Sequence, residues 1–321
     1  MNKNLGLIGA GEFGNFATKV LKMLPDFKLV AIADTNENSA LNLAKKYNAK
    51  VYRNYIDLLK NKNVDIVLIN TPNFLHAKMS MDCISYGKKV MCEKPLGINI
   101  REIELVRKHL VKNKGILLVN FLLPRSDIYQ KLHKIISTKD YGELKYIHIE
   151  NLATESTIES KWYWQKEKSG GWFLTADIHF YDLVNFLLDH NSKVVSAKEY
   201  IKHNRTVSIL TELCNQDVRI DVFHDFAAGY NRARLTAKFV FDKADIQING
   251  WIPTQMIVRT SDGNKIIKEK IDREIIYQKL VAENISELAK MSHIDSIDHI
   301  NHVFEGSQIA FSAQKIADRM E

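Results

Sequence analysis

The sequence predicts an α/β protein of two domains: a parallel sheet covered by helices on both faces, then an antiparallel or mixed sheet. Three observations carry this. Apolar runs alternate with helical segments through about residue 121, a glycine-rich loop directly follows the first apolar run, and the later part reads as strand after strand. The length of 321 residues suits two domains, and the boundary falls near residues 121–125, giving domains 1–122 and 123–321.

Leu5 to Gly9 is a strand with no polar side chains, followed by a helix from Glu12 to Leu24 that Pro25 ends. Lys28 to Asp34 is the second strand and closes on an acid. A helix from Asn38 to Tyr47 precedes a short strand near Val51, and Asn54 can cap a helix through Leu59. Val64 to Asn70 is a buried strand that Thr71-Pro72-Asn73 breaks. A helix from Leu75 to Tyr86 stops at Gly87, where a left-handed residue is cheap. Strand Lys89 to Cys92, helix Arg101 to Lys112 and strand Ile116 to Phe121 complete the pattern.

After Pro124 come a helix from Tyr129 to Ser137 and seven weakly alternating segments. These are Leu144–Asn151, Val194–Ile201, Val207–Leu213, Val218–Phe226, Arg234–Phe241, Ala244–Ile248 and Gln255–Thr260. From Trp172 to Leu188 the spacing is helical, which puts Thr175, His179 and Asp182 on one face. Two helices, Glu274 to Met291 and Asp295 to Met320, end the chain.

Several function classes drop out. Cys83, Cys92 and Cys214 are scattered and odd in number, against a disulfide framework or a CxxC-type zinc site and in keeping with a cytoplasmic setting. The first residues lack signal-peptide anatomy, and no stretch approaches the roughly 20 apolar residues of a membrane span. The net charge of +7 comes from interspersed residues, so it argues for neither nucleic acid nor a membrane surface. His293, His299 and His302 invite a metal reading, but no carboxylate or cysteine set completes it, so no metal is expected.

The chemistry begins at Gly9-Ala10-Gly11-Glu12-Phe13-Gly14, a GxGxxG loop between strand and helix, with Asp34 placed 20 residues past Gly14. Gly9 permits the tight turn, Gly11 lets a pyrophosphate approach the backbone, and Gly14 lets helix and strand pack closely. The helix N-terminus, with Glu12 and Phe13 in its first turn, supplies free N–H groups. Asp34 can accept the ribose hydroxyls and repel a 2′-phosphate. Thr35 and Asn36 offer no compensating cation, so NAD is preferred over NADP.

Ligands of a parallel sheet bind beyond the carboxyl ends of its strands, where Thr71, Asn73, Glu93 and Lys94 stand. A lysine there can donate to a reacting hydroxyl, or act as a base once burial lowers its pKa. The alternative is an ordinary solvated lysine. His179 suits acid–base work near neutrality, or it is a hydrogen-bonded core histidine. Trp162, Tyr163 and Trp164 can stack on a sugar ring or simply pack in the core.

Together the GxGxxG loop, Thr71-Pro72-Asn73 with His76, Glu93-Lys94-Pro95, and Gly170-Gly171 followed by His179 and Asp182 resemble the glucose–fructose oxidoreductase / inositol dehydrogenase (Gfo/Idh/MocA) family over essentially the whole chain. The resemblance implies an N-terminal Rossmann domain and a C-terminal α/β domain whose large, mostly antiparallel open sheet often mediates homodimers or homotetramers. It also implies NAD(P)-dependent chemistry on sugars or cyclitols. By the same resemblance Lys94 contacts substrate, His179 is the acid/base, His76 belongs to the cofactor loop and Arg125 binds substrate or cofactor, with a structural salt bridge an equal alternative for Arg125. Many relatives carry an aspartate four residues before the histidine, where this chain has Thr175. Its own Asp177 would sit about 200° away on a regular helix. Thr175 and Asp177 are therefore expected as substrate contacts and not as an imidazolium partner.

The expected function is oxidation of a secondary hydroxyl with hydride transfer to nicotinamide. Two alternatives stand beside it: redox-assisted elimination or glycoside cleavage with recycled NAD, and a non-catalytic nucleotide-sensing regulator.

Overall fold

The computed structural model describes residues 3–153, 161–227, 234–269 and 271–319. Met320, the expected end of the last helix, lies outside them. The chain forms two compact units, residues 1–120 with 277–304, and residues 121–276 with 305–321.

The first unit holds six strands: β1 (Lys3–Ile8), β2 (Phe27–Ala33), β3 (Lys50–Tyr52), β4 (Ile66–Ile69), β5 (Lys89–Cys92) and β6 (Leu117–Val119). They pair in the order β3-β2-β1-β4-β5-β6, every pair parallel. β4 is buried along its whole length, as a central strand covered on both faces must be. The strand order reverses between β1 and β4, which makes their carboxyl ends the topological switch point where ligands of such sheets bind. Asn36, Asn54 and Asn99 each cap a helix, accepting from the backbone N–H of Ser39, Ile56 and Glu102. The helix expected over Glu12 to Leu24 is regular only from Glu12 to Lys19, then tightens to a 3-10 turn over Val20–Met23. Leu24, which precedes Pro25, has φ −125° and ψ 71°, because proline's ring excludes the helical region for its neighbour.

Residues 277–304 belong to this first unit, whereas the sequence assigned them to the second domain. The reason lies in polar contacts of long sequence separation. Lys89 Nζ donates to the carbonyls of Leu288, Ala289 and Met291, capping the helix Arg273–Lys290. The next helix, His293–Ala317, lies along the free edge of β6. There Ser296 Oγ accepts the Leu117 N–H and donates to the Leu117 carbonyl, and His299 Nε2 accepts the Val119 N–H. His293 Nδ1 sits 2.8 Å from the Gly115 carbonyl oxygen. These side chains stand in for a seventh strand. Two of the three histidines that invited a metal reading thus serve the sheet edge.

In the second unit eight strands, β7 (Leu144–Leu152), β8 (Lys193–Lys202), β9 (Arg205–Asn215), β10 (Val218–Asp225), β11 (Arg234–Phe241), β12 (Asp245–Asn249), β13 (Gln255–Thr260) and β14 (Gly263–Lys268), form one sheet. The order is β14-β13-β12-β11-β7-β10-β9-β8, antiparallel except for β7 with β10. Buried and accessible residues alternate along β11 and β12, so one face carries the core. β14 was not read from the sequence: five of its six residues are exposed, so it has no apolar alternation to see.

The helix expected from Trp172 to Leu188 is two helices, Trp172–Thr175 and Ile178–Leu187. The two meet at Ala176 (φ −102°, ψ −56°) and Asp177 (φ −81°, ψ −9°), and the Asp177 side chain turns into the core there. The single face expected for Thr175, His179 and Asp182 is therefore interrupted.

Candidate active site

The glycine loop is built around contacts that leave no room for side chains, except at one point. Gly9 has φ +96°, and a Cβ on it would lie 2.5 Å from the Asn70 carbonyl oxygen. A Cβ on Gly14 would lie 2.0 Å from the Gly9 carbonyl oxygen, whereas one on Gly11 meets nothing within 4 Å. The open side of Gly11 faces away from protein at the N-terminus of the helix Glu12–Lys19, where unpaired N–H groups and the helix dipole favour an anion. Phe13, in the first turn, is 51% exposed. Asp34 is anchored by two backbone donors, Ala10 N–H at 2.6 Å and Asn36 N–H at 2.7 Å. A carboxylate has about four acceptor positions, so capacity remains for ribose hydroxyls. The residues present fit a dinucleotide.

Thr71 and Asn73 follow β4, and Glu93 and Lys94 follow β5. His76 is fully buried, with Nδ1 2.7 Å from the Pro95 carbonyl oxygen and Nε2 2.7 Å from that of Thr71. The ring clasps the two loops together and is turned to backbone on both sides, so it supports the site instead of reaching a cofactor. Burial lowers its pKa, opposed by the two carbonyls. Glu93 and Lys94 are half-buried and joined by a cis Lys94–Pro95 peptide to the clasp. Loss of water pushes the Lys94 ammonium down to about 8, against the opposing pull of the Glu93 charge. Burial raises Glu93, while the Asn120 side-chain amide, donating to Glu93 Oε1 at 2.7 Å, favours its charged form.

In the second unit His179 lies in the first turn of the helix Ile178–Leu187. Its ring meets Trp251 edge-on at 4.6 Å between centroids and Phe121 at 6.0 Å. Asp182, one turn further, is raised to about 7 by burial, with the Arg125 charge pulling it back. Its Oδ2 has no hydrogen-bond partner among the described residues. Asp177 is 0% exposed, and its Oδ1 accepts from His224 Nδ1 at 2.9 Å. It is turned into the core, away from the substrate role expected of it. Asn151 Nδ2 lies 2.9 Å from His224 Nε2. The Thr175 hydroxyl is also buried and donates to the Ser169 carbonyl at 2.9 Å. Trp162 stacks on Tyr163 with centroids 3.9 Å apart.

Sequence reasoning missed Trp251, His224, Asn120 and the titration of Asp182. Only Asp182 had a local signal, its spacing of three from His179.

The comparisons agree with this architecture. Residues 3–121 match the oxidoreductase family with an NAD-binding Rossmann fold, and residues 129–237 match the Gfo/Idh/MocA C-terminal domain. The chain is 26% identical over 262 residues to trans-1,2-dihydrobenzene-1,2-diol dehydrogenase of Xenopus laevis, covering 79% of this chain and 78% of that protein. It is 26% identical over 194 residues to myo-inositol 2-dehydrogenase of Thermotoga maritima, covering 60% and 57%. The structure of a levoglucosan dehydrogenase in complex with NADH and levoglucosan superposes with a TM-score of 0.87 at 17% identity, covering 100% and 98%, a likeness of fold. With both halves matched in order along the chain, this protein belongs to the Gfo/Idh/MocA family of oxidoreductases, and its first unit is the NAD-binding half.

Proposed function

We propose that this chain is an NAD-dependent dehydrogenase that oxidises a secondary hydroxyl of a sugar, sugar derivative or cyclitol to the ketone. The observation that carries this reading is Lys94, a lysine pushed down to about 8 at the carboxyl edge of the NAD-binding sheet. The named substrates of the relatives (a cyclic diol, an inositol) are ring compounds with secondary hydroxyls, which is the class we assign here.

The Gly9 to Gly14 backbone would hold the pyrophosphate of NAD, and Asp34 would accept the adenosine ribose hydroxyls. With no cation in Thr35 or Asn36, a 2′-phosphate is disfavoured. Bound NAD supplies the hydride acceptor. The carbon–hydrogen bond of the carbinol breaks with its electron pair, and the hydroxyl proton leaves to the protein. His179 takes that proton, assisted by Lys94 in its neutral form. Arg125 and Trp162 are assigned to the substrate side, and Thr71, Asn73 and Glu93 to the cofactor side, while the buried Thr175 hydroxyl, which donates to the Ser169 carbonyl, is given a structural role in place of the substrate contact expected of it. We also place the enzyme in the cytoplasm as a homodimer or homotetramer. Support for assembly comes from the eight-stranded sheet, whose β8 exposes Val195, Tyr200 and Ile201. Among the described residues no helix is long and apolar enough to cross a membrane.

Because the neutral amine is the competent form, oxidation should rise with pH through about 8. Lys94→Met should lower kcat by about 100-fold or more, the usual worth of a general acid–base group, with NAD affinity retained. Unchanged turnover in that variant would remove Lys94 from the chemistry.

A further inference from the structure

A chain of buried amides runs from the helix Arg273–Lys290 to the residue beside Lys94. Asn284 Nδ2 donates to Asn120 Oδ1 at 2.7 Å, and Asn120 Nδ2 donates to Glu93 Oε1 at 2.7 Å. Asn284 is 0% exposed and Asn120 5%. Asn284 sits among buried Leu280, Val281, Ile285 and Leu288, where an apolar residue would cost less desolvation. Its polarity is explained by its partner. By occupying the oxygen of Asn120 it leaves the Asn120 NH₂ to face Glu93, so the direction of both bonds is fixed. The same helix reaches the cofactor loop, since Tyr277 stacks on Phe16 of the helix Glu12–Lys19 with centroids 4.4 Å apart.

We propose that Asn284, acting through Asn120, is a positioning residue that holds Glu93 as an oriented carboxylate beside Lys94, so that the helix Arg273–Lys290 governs how Lys94 exchanges its proton. For catalysis this rests on the reading of Lys94 given above.

The charges around the pair set the sign. Glu93 feels Lys94 and lies near Tyr277, and Lys94 feels Glu93 on one side and His76 on the other. Burial already favours the protonated form of Glu93, and the Asn120 donor opposes this. Loss of Asn284 frees Asn120 to turn, Glu93 loses its donor and takes up a proton more readily, and Lys94 loses the negative neighbour that stabilises its ammonium. Lys94 then titrates at lower pH.

The test reads Lys94 directly. Purified full-length protein is labelled with acetic anhydride across a pH series, and acetylation at Lys94 is quantified by mass spectrometry. Wild type is compared with Asn284→Leu, and with Asn284→Ala should leucine not pack. Near-ultraviolet circular dichroism checks the fold of each. The midpoint is expected to fall by about half a pH unit or more, a change of about 0.7 kcal/mol. A midpoint that stays with wild type in a folded variant overturns the proposal. The pH profile of kcat/KM, measured in parallel, separates the two readings. If the labelling midpoint moves and the activity limb stays, the link from Asn284 to Lys94 holds and the catalytic role of Lys94 fails.

Discussion

A methyl group on Gly14 would lie 2.0 Å from the Gly9 carbonyl oxygen, while one on Gly11 would meet no protein atom within 4 Å. Two glycines three residues apart therefore answer to different partners. Gly14→Ala should destabilise the fold, seen as a large drop in Tm. Gly11→Ala should leave Tm near wild type and weaken NAD binding at least about tenfold, read by NADH fluorescence titration, because its methyl would intrude only on a ligand. Equal Tm losses in both would contradict that division. The packing of Gly9 and Gly14 was legible in the sequence because the motif fixes backbone geometry. The roles of His76 and Asp177 were not. Each stands out in the sequence, but a side chain's direction depends on its neighbours in space. Thr71 and Pro95 carbonyls capture one, and His224, on a strand 47 residues away, captures the other. A buried carboxylate–histidine pair at the start of the His179 helix is Asp177 with His224.

At the scale of elements, the edge of β6 is closed by side chains. Ser296 bonds both the N–H and the carbonyl of Leu117, and His299 accepts the N–H of Val119. Replacing Ser296 with alanine leaves two buried backbone groups without that partner, which should cost about 1–3 kcal/mol, measured as a shift of the urea midpoint. A change below a few tenths would mean that the edge does not depend on this helix. The strands of the first unit were readable because burial on both faces makes each a continuous apolar run. The attachment of the C-terminal helices was not, since Ser296 and Leu117 are 179 residues apart and no local pattern records such a pairing. β14 escaped for the opposite reason, being an exposed edge without a buried side. The helix around His179 was legible as apolar spacing, but its break was not, because Asp177 fits a helical pattern as well as it fits the turn it makes.

For the whole molecule, the proposed function draws on both units. The first, with its returning C-terminal helices, holds the glycine loop, Asp34 and the Glu93–Lys94 edge. The second holds His179 and Asp182, and its sheet has exposed apolar side chains on its outermost strands. The excess of 7 positive charges plays little part in this account, because pyrophosphate recognition rests on backbone N–H groups at a helix N-terminus. The central claim is net, NAD-linked oxidation of a ring hydroxyl. It is tested most directly by incubating the purified protein with NAD and a panel of inositols and sugars while following the nicotinamide absorbance band and the keto product together. The account predicts NADH accumulating mole for mole with ketone, with NAD and not with NADP. A substrate consumed while no NADH accumulates, the cofactor returning to its starting state each turnover, would contradict it.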